Sequence, residues 1–160
     1  MQVPVTNGGT MEFVEGGPAF VHFLVMSNEL STPKILICTE EPDSKRSIAT
    51  TFSQTANVPP GQISFNNDNY LSYFVGIDAN QTLPSALLSG DRNLIVDGTP
   101  LQRGLRQVWT NSTVTWSKPR PRHDGGFVGL ADGSVQSATD RGFPAVLRQT
   151  GMATNRLVMP

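Results

Sequence analysis

The chain has 160 residues, with 12 basic and 13 acidic side chains and a formal net charge of −1. This charge balance favours neither nucleic acid nor an anionic membrane as a partner, and the length predicts one domain spanning residues 1–160. The 15 glycines, 12 prolines and 38% hydrophobic residues favour short strands joined by turns. We therefore expect an α+β fold, with a mostly antiparallel sheet and one or two short helices.

The N-terminal part predicts a hairpin, a short helix and two strands. Residues 1–13 are interpreted as extended, with a turn at Asn7-Gly8-Gly9. Residues 19–30 predict a helix that ends before Pro33, because proline disfavours helical backbone in the residue before it; a buried strand is the alternative for this apolar run. Strands are predicted at Lys34–Cys38 and Ile48–Phe52.

The middle of the chain predicts a loop, a central strand and a second hairpin. Gln54–Asn69 contains Pro59-Pro60-Gly61 and an Asn-rich run, so it is expected to be a loop. The aromatic segment Tyr70–Asp78 predicts a central strand, and Pro84–Ser89 one helical turn. A hairpin is predicted from the alternating segments Leu105–Trp109 and Thr113–Trp116.

The strongest hairpin signal is Asp132-Gly133, which lies between alternating apolar residues. A type I′ turn there places Leu130 opposite Val135, so that Val128, Leu130 and Val135 share one side of the ribbon. Asp97-Gly98 is a second turn signal of the same kind. Thr139 is then predicted to cap a helix that ends near Gln149, with Gly151 in the left-handed region.

Pro144 makes the start of that helix ambiguous. If Pro144 lies in the first turn, the helix begins near Phe143 instead of Thr139. A strand at Asn155–Met159 is predicted to close the chain.

Five separated segments resemble pilin-like proteins of the type II secretion and prepilin class. One large group of these has a signature of His, nine residues and then Asp-Gly; here eight residues separate His123 from Asp132-Gly133. The other segments are MSNELSTPKILIC (26–38), NYLSYFVGIDAN (69–80), LLSGDRNL (87–94) and TGMATNRLVMP (150–160).

The resemblance implies a non-enzymatic structural subunit: the periplasmic or extracellular head of a pseudopilin-like or type IV pilin-like protein anchored in the inner membrane. Its implied partners are other pilin-like subunits, reached through a long apolar N-terminal helix, and a weak homodimer is also expected. The sequence shows neither that helix nor a basic leader. We expect truncation, with a relative that lacks the helix as the alternative.

A truncated head is expected to expose an apolar groove on the sheet face that the helix normally covers. Its expected lining comes from Lys34–Cys38, Tyr70–Asp78 and Val128–Val135. The alternative function is a stand-alone extracellular binding or adhesion module for carbohydrate or protein, displaying loops such as Gln54–Asn69. Cys38 is either a small buried hydrophobe or the partner of a cysteine elsewhere.

Few residues suggest chemistry, and no catalytic, cofactor-binding or metal residue is assigned. His123, Asp124 and Asp132 are the only grouping of a histidine with carboxylates, since His22 lies in an apolar run. A structural hydrogen-bonding role is expected for His123, and a hydrolase is a remote third hypothesis. Asp124, Asp132 and Asp140 offer oxygen ligands for the calcium that the resemblance suggests, but their spacing is not that of a calcium loop. Ser89–Arg92 is interpreted as a tight turn.

Overall fold

Two antiparallel sheets and three short helices form the secondary structure of this chain in a computed structural model that describes residues 3–39, 45–54, 58–117 and 125–160. Within these ranges the helices are α1 (Phe20–Leu24), α2 (Ser27–Leu30) and α3 (Phe143–Gln149). The strands are β1 (Tyr73–Gly76), β2 (Leu87–Asp91), β3 (Leu94–Val96), β4 (Thr99–Pro100), β5 (Gly104–Trp109), β6 (Val114–Trp116), β7 (Gly125–Leu130), β8 (Val135–Thr139) and β9 (Thr154–Met159). The predicted α+β fold class is confirmed.

The chain divides into two compact units, Met1–Tyr73 with Pro160 and Phe74–Met159. The described part of the first unit contains α1, α2 and short 3₁₀ turns. Its apolar centre includes Phe65, whose ring meets the rings of Phe20 and Phe52 edge-on at centroid distances of 5.8 and 5.5 Å. The Arg46 guanidinium donates to the carbonyls of Asp68, Leu71 and Pro160.

The helix predicted over residues 19–30 is confirmed as two short segments, α1 and α2, that end before Pro33. The hairpin predicted over residues 1–13 is wrong, because the described part forms 3₁₀ turns at Val5–Asn7 and Met11–Phe13. The strand predicted at Ile48–Phe52 is wrong as well. Only one isolated bridge, Thr51 to Ser64, forms there.

The strand predicted at Lys34–Cys38 is a 3₁₀ helix, Pro33–Leu36. Pro33 presets a helical φ in the first turn, and the Thr32 hydroxyl accepts from the Lys34 N–H at 3.4 Å. These local signals outweigh the strand propensity of the apolar run. Cys38 is a free thiol and is partly exposed, so the fully buried alternative is wrong.

In the second unit, six strands form a sheet in the order β5-β9-β1-β2-β7-β8. The β1–β9, β2–β7, β5–β9 and β7–β8 pairs are antiparallel. The predicted central strand within Tyr70–Asp78 is confirmed as β1, and the predicted C-terminal strand as β9. The helical turn predicted at Pro84–Ser89 is wrong, because β2 begins at Leu87, whose side chain is buried in the core.

The second sheet has the order β4-β3-β6 and contributes to the same core. The predicted hairpin of Leu105–Trp109 with Thr113–Trp116 is therefore wrong: both strands exist, but β5 pairs with β9 and β6 pairs with β3. The connecting loop closes a tight turn, in which the Ser112 N–H donates to Trp109 O at 3.0 Å, but its other residues bond to separate segments and the two strands do not pair. Thr110 N–H donates to Ala153 O at 3.0 Å, and Thr113 N–H donates to Asp97 Oδ1 at 2.9 Å.

The core of this unit lies between the two sheets and α3. Trp116 is buried there, with its indole Nε1–H donating to Ala138 O at 2.7 Å and its ring edge-on to Phe143 at 5.2 Å. α3 begins at Phe143 with Pro144 in its first turn, so the later of the two predicted starts is confirmed. Gly151 adopts the predicted left-handed backbone, with φ of 71°.

The two Asp-Gly dipeptides form different turns. Asp97 and Gly98 both have positive φ, 49° and 79°, and Val96 pairs with Thr99, as a type I′ turn requires. At the other site only Gly133 has positive φ, and Leu130 N–H donates to Ser134 O at 2.9 Å. The β7–β8 loop therefore has three residues, and the predicted two-residue turn is wrong.

The longer loop shifts the register of β8 by one residue. Gly129, not Leu130, lies opposite Val135, and a one-residue shift moves every side chain of a strand to the other face. Val135 is accordingly 69% exposed, whereas Val128 and Leu130 are buried in the core. The predicted placement of Val135 beside them is wrong.

Contacts with an adjacent segment account for the longer turn. The Ala131 and Asp132 N–H groups donate to Ala86 O and Pro84 O at 2.9 and 3.0 Å, and Asp132 Oδ1 accepts from Ser134 N–H at 2.9 Å. The two bonds to Ala86 and Pro84 are set by tertiary structure, so they cannot be predicted from the dipeptide itself.

Among the described residues, no helix has both the length and the apolar character needed to cross a bilayer.

Candidate functional site

Among His123, Asp124, Asp132 and Asp140, only Asp132 and Asp140 lie in the described part of the chain. His123 and Asp124 lie outside the described residues, as does the segment 118–122 before them. The exposed Asp132 accepts hydrogen bonds from Ser134, which lower the pKa of its carboxyl group. The partly buried Asp140 accepts from the Trp116 N–H at 2.9 Å. Across residues 3–39, 45–54, 58–117 and 125–160, no three His, Cys, Asp or Glu side chains are grouped for a metal ion.

His22 is buried in the first unit rather than placed in a cleft. Its Nδ1 lies 2.7 Å from the Thr10 hydroxyl, and burial lowers its pKa from 6.5 to about 4. Its Nε2 makes no hydrogen bond with any described residue. The neutral ring is therefore a structural element of the first unit.

The Ser89–Arg92 motif lies largely in β2, so the predicted tight turn is wrong. Ser89 Oγ donates to Phe74 O at 2.8 Å, and Asp91 Oδ2 accepts from the Phe127 N–H at 2.8 Å. Gly90 is required between them, because a Cβ there would lie 2.8 Å from the Phe74 ring. The motif thus holds β2 against β1 and β7.

The first notable surface is an apolar patch on the β7–β8 hairpin, which we call the outer patch. It consists of Phe127 and Val135, 54% and 69% exposed, together with the exposed Leu88 at the bulge in β2. Phe127 pairs with Ser137 and Gly129 with Val135, so Phe127 and Val135 are diagonal neighbours on the sheet face opposite the core. Such neighbours have Cα atoms about 7–8 Å apart, within contact range for an aromatic ring.

Gly129 forms the floor of the outer patch. A Cβ built on Gly129 would meet only the Ser89 carbonyl oxygen, at 3.8 Å, so the space above the strand is open. The open floor lies beside the Phe127 and Val135 side chains.

No charged residue occurs in β7 or β8. β8 is an edge strand of the six-stranded sheet, and proteins usually protect an exposed edge with charged side chains, especially lysine. An uncharged edge beside exposed Phe127 and Val135 is the pattern of a surface that another chain or segment covers.

The groove lining predicted from the sequence is only partly right. Within the predicted lining Val135 is exposed, but Val75, Val128 and Leu130 are buried, and the Lys34–Cys38 segment is not a strand of the sheet. The Gln54–Asn69 loop, apart from residues 55–57 outside the described ranges, is held by side-chain bonds. Gln54 Nε2, for example, donates to Phe65 O at 2.9 Å.

The second notable surface is an open depression of about 550 Å³ in the second unit, which we call the Trp109 depression. It is lined by Trp109, Thr110, Asn111, Arg148 and Ala153. Trp109 ends β5 and is 54% exposed, while Arg148 projects from the last turn of α3. The indole Nε1–H, the Asn111 amide and the Arg148 guanidinium form no hydrogen bond or ion pair with the described residues.

Sequence reasoning missed both the outer patch and the Trp109 depression. The available signal for the depression was a tryptophan followed at once by Thr-Asn-Ser, because a large aromatic residue at a strand end beside polar residues is typical of binding surfaces. The two-residue turn predicted at Asp132-Gly133 puts Val135 on the core side, whereas the observed register puts it on the opposite face.

No protein-family model matches this chain, and neither the curated proteins nor the solved structures contain a match.

Proposed function

We propose that this chain is a non-enzymatic structural subunit, the extracytoplasmic head of a pilin-like protein, and that its outer patch packs against an apolar helix. The observation that carries the proposal is the uncharged β7–β8 edge with Phe127 and Val135 exposed beside it. The five sequence segments that resemble the pilin-like class support the same role.

An apolar helix is the occupant that fits the outer patch best. Glycine lets another backbone approach a strand closely, and Gly129 supplies an open floor between two large apolar side chains. The absence of charge on β7 and β8 suits an occupant that has no charge of its own.

In this proposal the partners are other pilin-like subunits, and the membrane is reached only through the helix. The protein would act in the periplasm or outside the cell, anchored in the inner membrane. Covering the outer patch would remove Phe127 and Val135 from water, which stabilises the assembled state by roughly 25 cal/mol per Å² of apolar surface.

The test is a thermal-unfolding titration of the chain with a synthetic helix of about 20 apolar residues, flanked by lysines and solubilised in mild detergent. We expect the melting temperature to rise with helix concentration, because a ligand of the folded state stabilises it by mass action. Detergent alone is the blank.

Aspartate variants assign the effect to the outer patch. Phe127→Asp and Val135→Asp should remove the rise, because each places a charge against the apolar helix. Ile35→Asp is the matched control: Ile35 is 53% exposed but lies in the first unit. If all three variants respond like the wild-type chain, or if the wild-type chain shows no rise, the outer patch does not bind such a helix.

The second candidate function is a stand-alone extracellular binding or adhesion module. The Trp109 depression favours it, because an exposed indole lies there beside the Asn111 amide and the Arg148 guanidinium, which form no hydrogen bond with the described residues and are available to a ligand. A chain that ignores the helix but binds a ligand at Trp109 would support this alternative.

A further inference from the structure

We propose that the Trp109 depression binds an anionic carbohydrate, a short oligosaccharide in which a uronic acid carboxylate meets Arg148. This inference concerns a ligand site on the second unit and does not depend on the outer patch or its helix.

The indole of Trp109 provides the apolar surface. Tryptophan is mostly buried in folded proteins, yet Trp109 is 54% exposed, whereas the other tryptophan, Trp116, is 3% exposed. The C–H face of a pyranose ring is flat and apolar, so it can lie on the indole and remove both surfaces from water.

The polar groups around the indole match a sugar that carries a carboxylate. The Asn111 amide and the indole Nε1–H offer donors and an acceptor for hydroxyl groups. Among the described residues, Arg148 is the one charged side chain that lines the depression, and a planar guanidinium binds a carboxylate through two parallel hydrogen bonds. The lining is therefore complementary to a negative ligand.

An extended peptide fits less well, because the loop offers it few backbone partners. Peptides that add to a sheet or loop bind largely through main-chain hydrogen bonds. Here the N–H groups of Thr110, Ser112 and Thr113 already donate to Ala153 O, Trp109 O and Asp97 Oδ1. Recognition of a ligand here therefore depends mainly on side chains, as it does in carbohydrate sites.

The loop that carries Asn111 is fixed before any ligand arrives. On one side Thr110 Oγ1 donates to Met152 O, and on the other Ser112 Oγ donates to Asp97 Oδ2 at 2.9 Å. Asp97 itself is held in the type I′ turn. A braced loop loses little conformational entropy on binding, so more of the contact energy appears as affinity.

The volume of the depression suits a small ligand. About 550 Å³ lies within the range of roughly 300–1,000 Å³ that small-molecule sites occupy. An open depression rather than a closed cavity also lets the rest of a polysaccharide chain continue into solvent.

The experiment is a calorimetric titration of the full chain with three probes of equal length: oligogalacturonate, uncharged oligogalactose and oligoglutamate. We expect oligogalacturonate to bind, with an affinity at least tenfold above that of oligogalactose. Its binding should also weaken as salt is raised, because the charged contact is screened. Tryptophan fluorescence supplies a second readout, since the exposed Trp109 responds to a ligand and the buried Trp116 does not.

Variants assign the binding to named side chains. Arg148→Ala should lower the affinity for oligogalacturonate about tenfold to a hundredfold, the effect of losing a hydrogen bond to a charged group, and leave oligogalactose binding unchanged. Trp109→Ala should weaken binding of both sugars. The matched controls are Arg141→Ala and Phe127→Ala, which remove an exposed arginine and an equally exposed aromatic residue elsewhere.

Three results would overturn the proposal. The first is the absence of oligogalacturonate binding at millimolar concentration, and the second is binding that Trp109→Ala and Arg148→Ala leave intact. The third is tighter binding of oligoglutamate with the same dependence on Arg148, which would make the ligand an acidic protein segment. Circular dichroism spectra that match the wild-type spectrum exclude misfolding of the variants. Substitutions at these exposed positions are not expected to cause misfolding.

Discussion

Two glycines in β7 make the sharpest test of how the β7–β8 hairpin packs. A Cβ on Gly126 would lie 2.6–2.7 Å from ring atoms of Trp116, whereas a Cβ on Gly129 meets only the Ser89 carbonyl oxygen at 3.8 Å. The Trp116 ring cannot simply move away, because its Nε1–H donates to Ala138 O and it packs in a T-shaped pair with the Phe143 ring. Gly126→Ala therefore overpacks the core, and Gly129→Ala does not.

The magnitudes follow from these contacts. Overpacking a filled core costs about 1–3 kcal/mol, so Gly126→Ala should lower the free energy of unfolding by that amount. Neither glycine has a positive φ, so Gly129→Ala should be neutral or should stabilise by up to about 1 kcal/mol through the unfolded state.

Urea denaturation, followed by circular dichroism, measures both changes, and the two variants serve as each other's control. Near-ultraviolet circular dichroism should change in Gly126→Ala, because Trp116 must shift. If Gly126→Ala is as stable as the wild-type chain, or if Gly129→Ala is the more damaging substitution, the faces of β7 are assigned wrongly.

Three further predictions concern other buried groups. Leu130→Ala should lower the free energy of unfolding by about 2–5 kcal/mol and Val135→Ala by less than about 0.5 kcal/mol, since of the two only Leu130 is buried. Equal losses in urea denaturation would instead support the two-residue turn, in which both side chains face the core. Burial lowers the His22 pKa from 6.5 to about 4, so the unfolded chain binds the extra proton and stability should fall by roughly 3 kcal/mol as pH drops from 6.5 to 4. The stability profile of His22→Gln should lack that loss, so the difference between the wild-type and variant profiles should show it. Identical pH dependence in the two chains would contradict the burial of His22. Both amide atoms of the buried Asn155 lack a hydrogen-bond partner among the described residues. Asn155→Leu should therefore raise the free energy of unfolding by about 1–3 kcal/mol in urea denaturation. A destabilised variant would show that the amide is hydrogen-bonded, for instance to water.

The sequence predicted the elements whose signal is local. β1 and β9 are short apolar runs with strong strand propensity, and α3 follows from Pro144 in a first turn and Gly151 after its end. Lys34–Cys38 shows the limit of that approach, because an Ile-Leu-Ile run predicted a strand while Pro33 and Thr32 set a 3₁₀ turn.

The sequence predicted strand partners and faces less well, since these depend on distant residues. β5 and β6 lie close in sequence, but over its whole length β5 pairs with β9, which lies about 50 residues later in the chain. The two Asp-Gly dipeptides are identical in sequence, but their contacts differ: Ala131 and Asp132 donate to residues 84–86, whereas Asp97 bonds to Ser112 and Thr113.

The candidate surfaces could not be predicted from the sequence because they too depend on distant residues. The exposure of Val135 follows from the hairpin register, which the sequence leaves open by one residue. The Trp109 depression joins Trp109 and Asn111 to Arg148 and Ala153, which come from α3 and the start of β9. Adjacent residues can be found by spacing, but a site assembled from separate elements needs the fold.

Amide hydrogen exchange of the chain, with and without the detergent-solubilised apolar helix, tests the central claim most directly. If the outer patch is the surface that an apolar helix covers, protection should increase in β8, the uncharged edge strand, and around Phe127 and Gly129 in β7. Protection at Trp109 and Ile35 should stay the same. Unchanged exchange in β7 and β8 would contradict the proposed structural role and favour a stand-alone binding module.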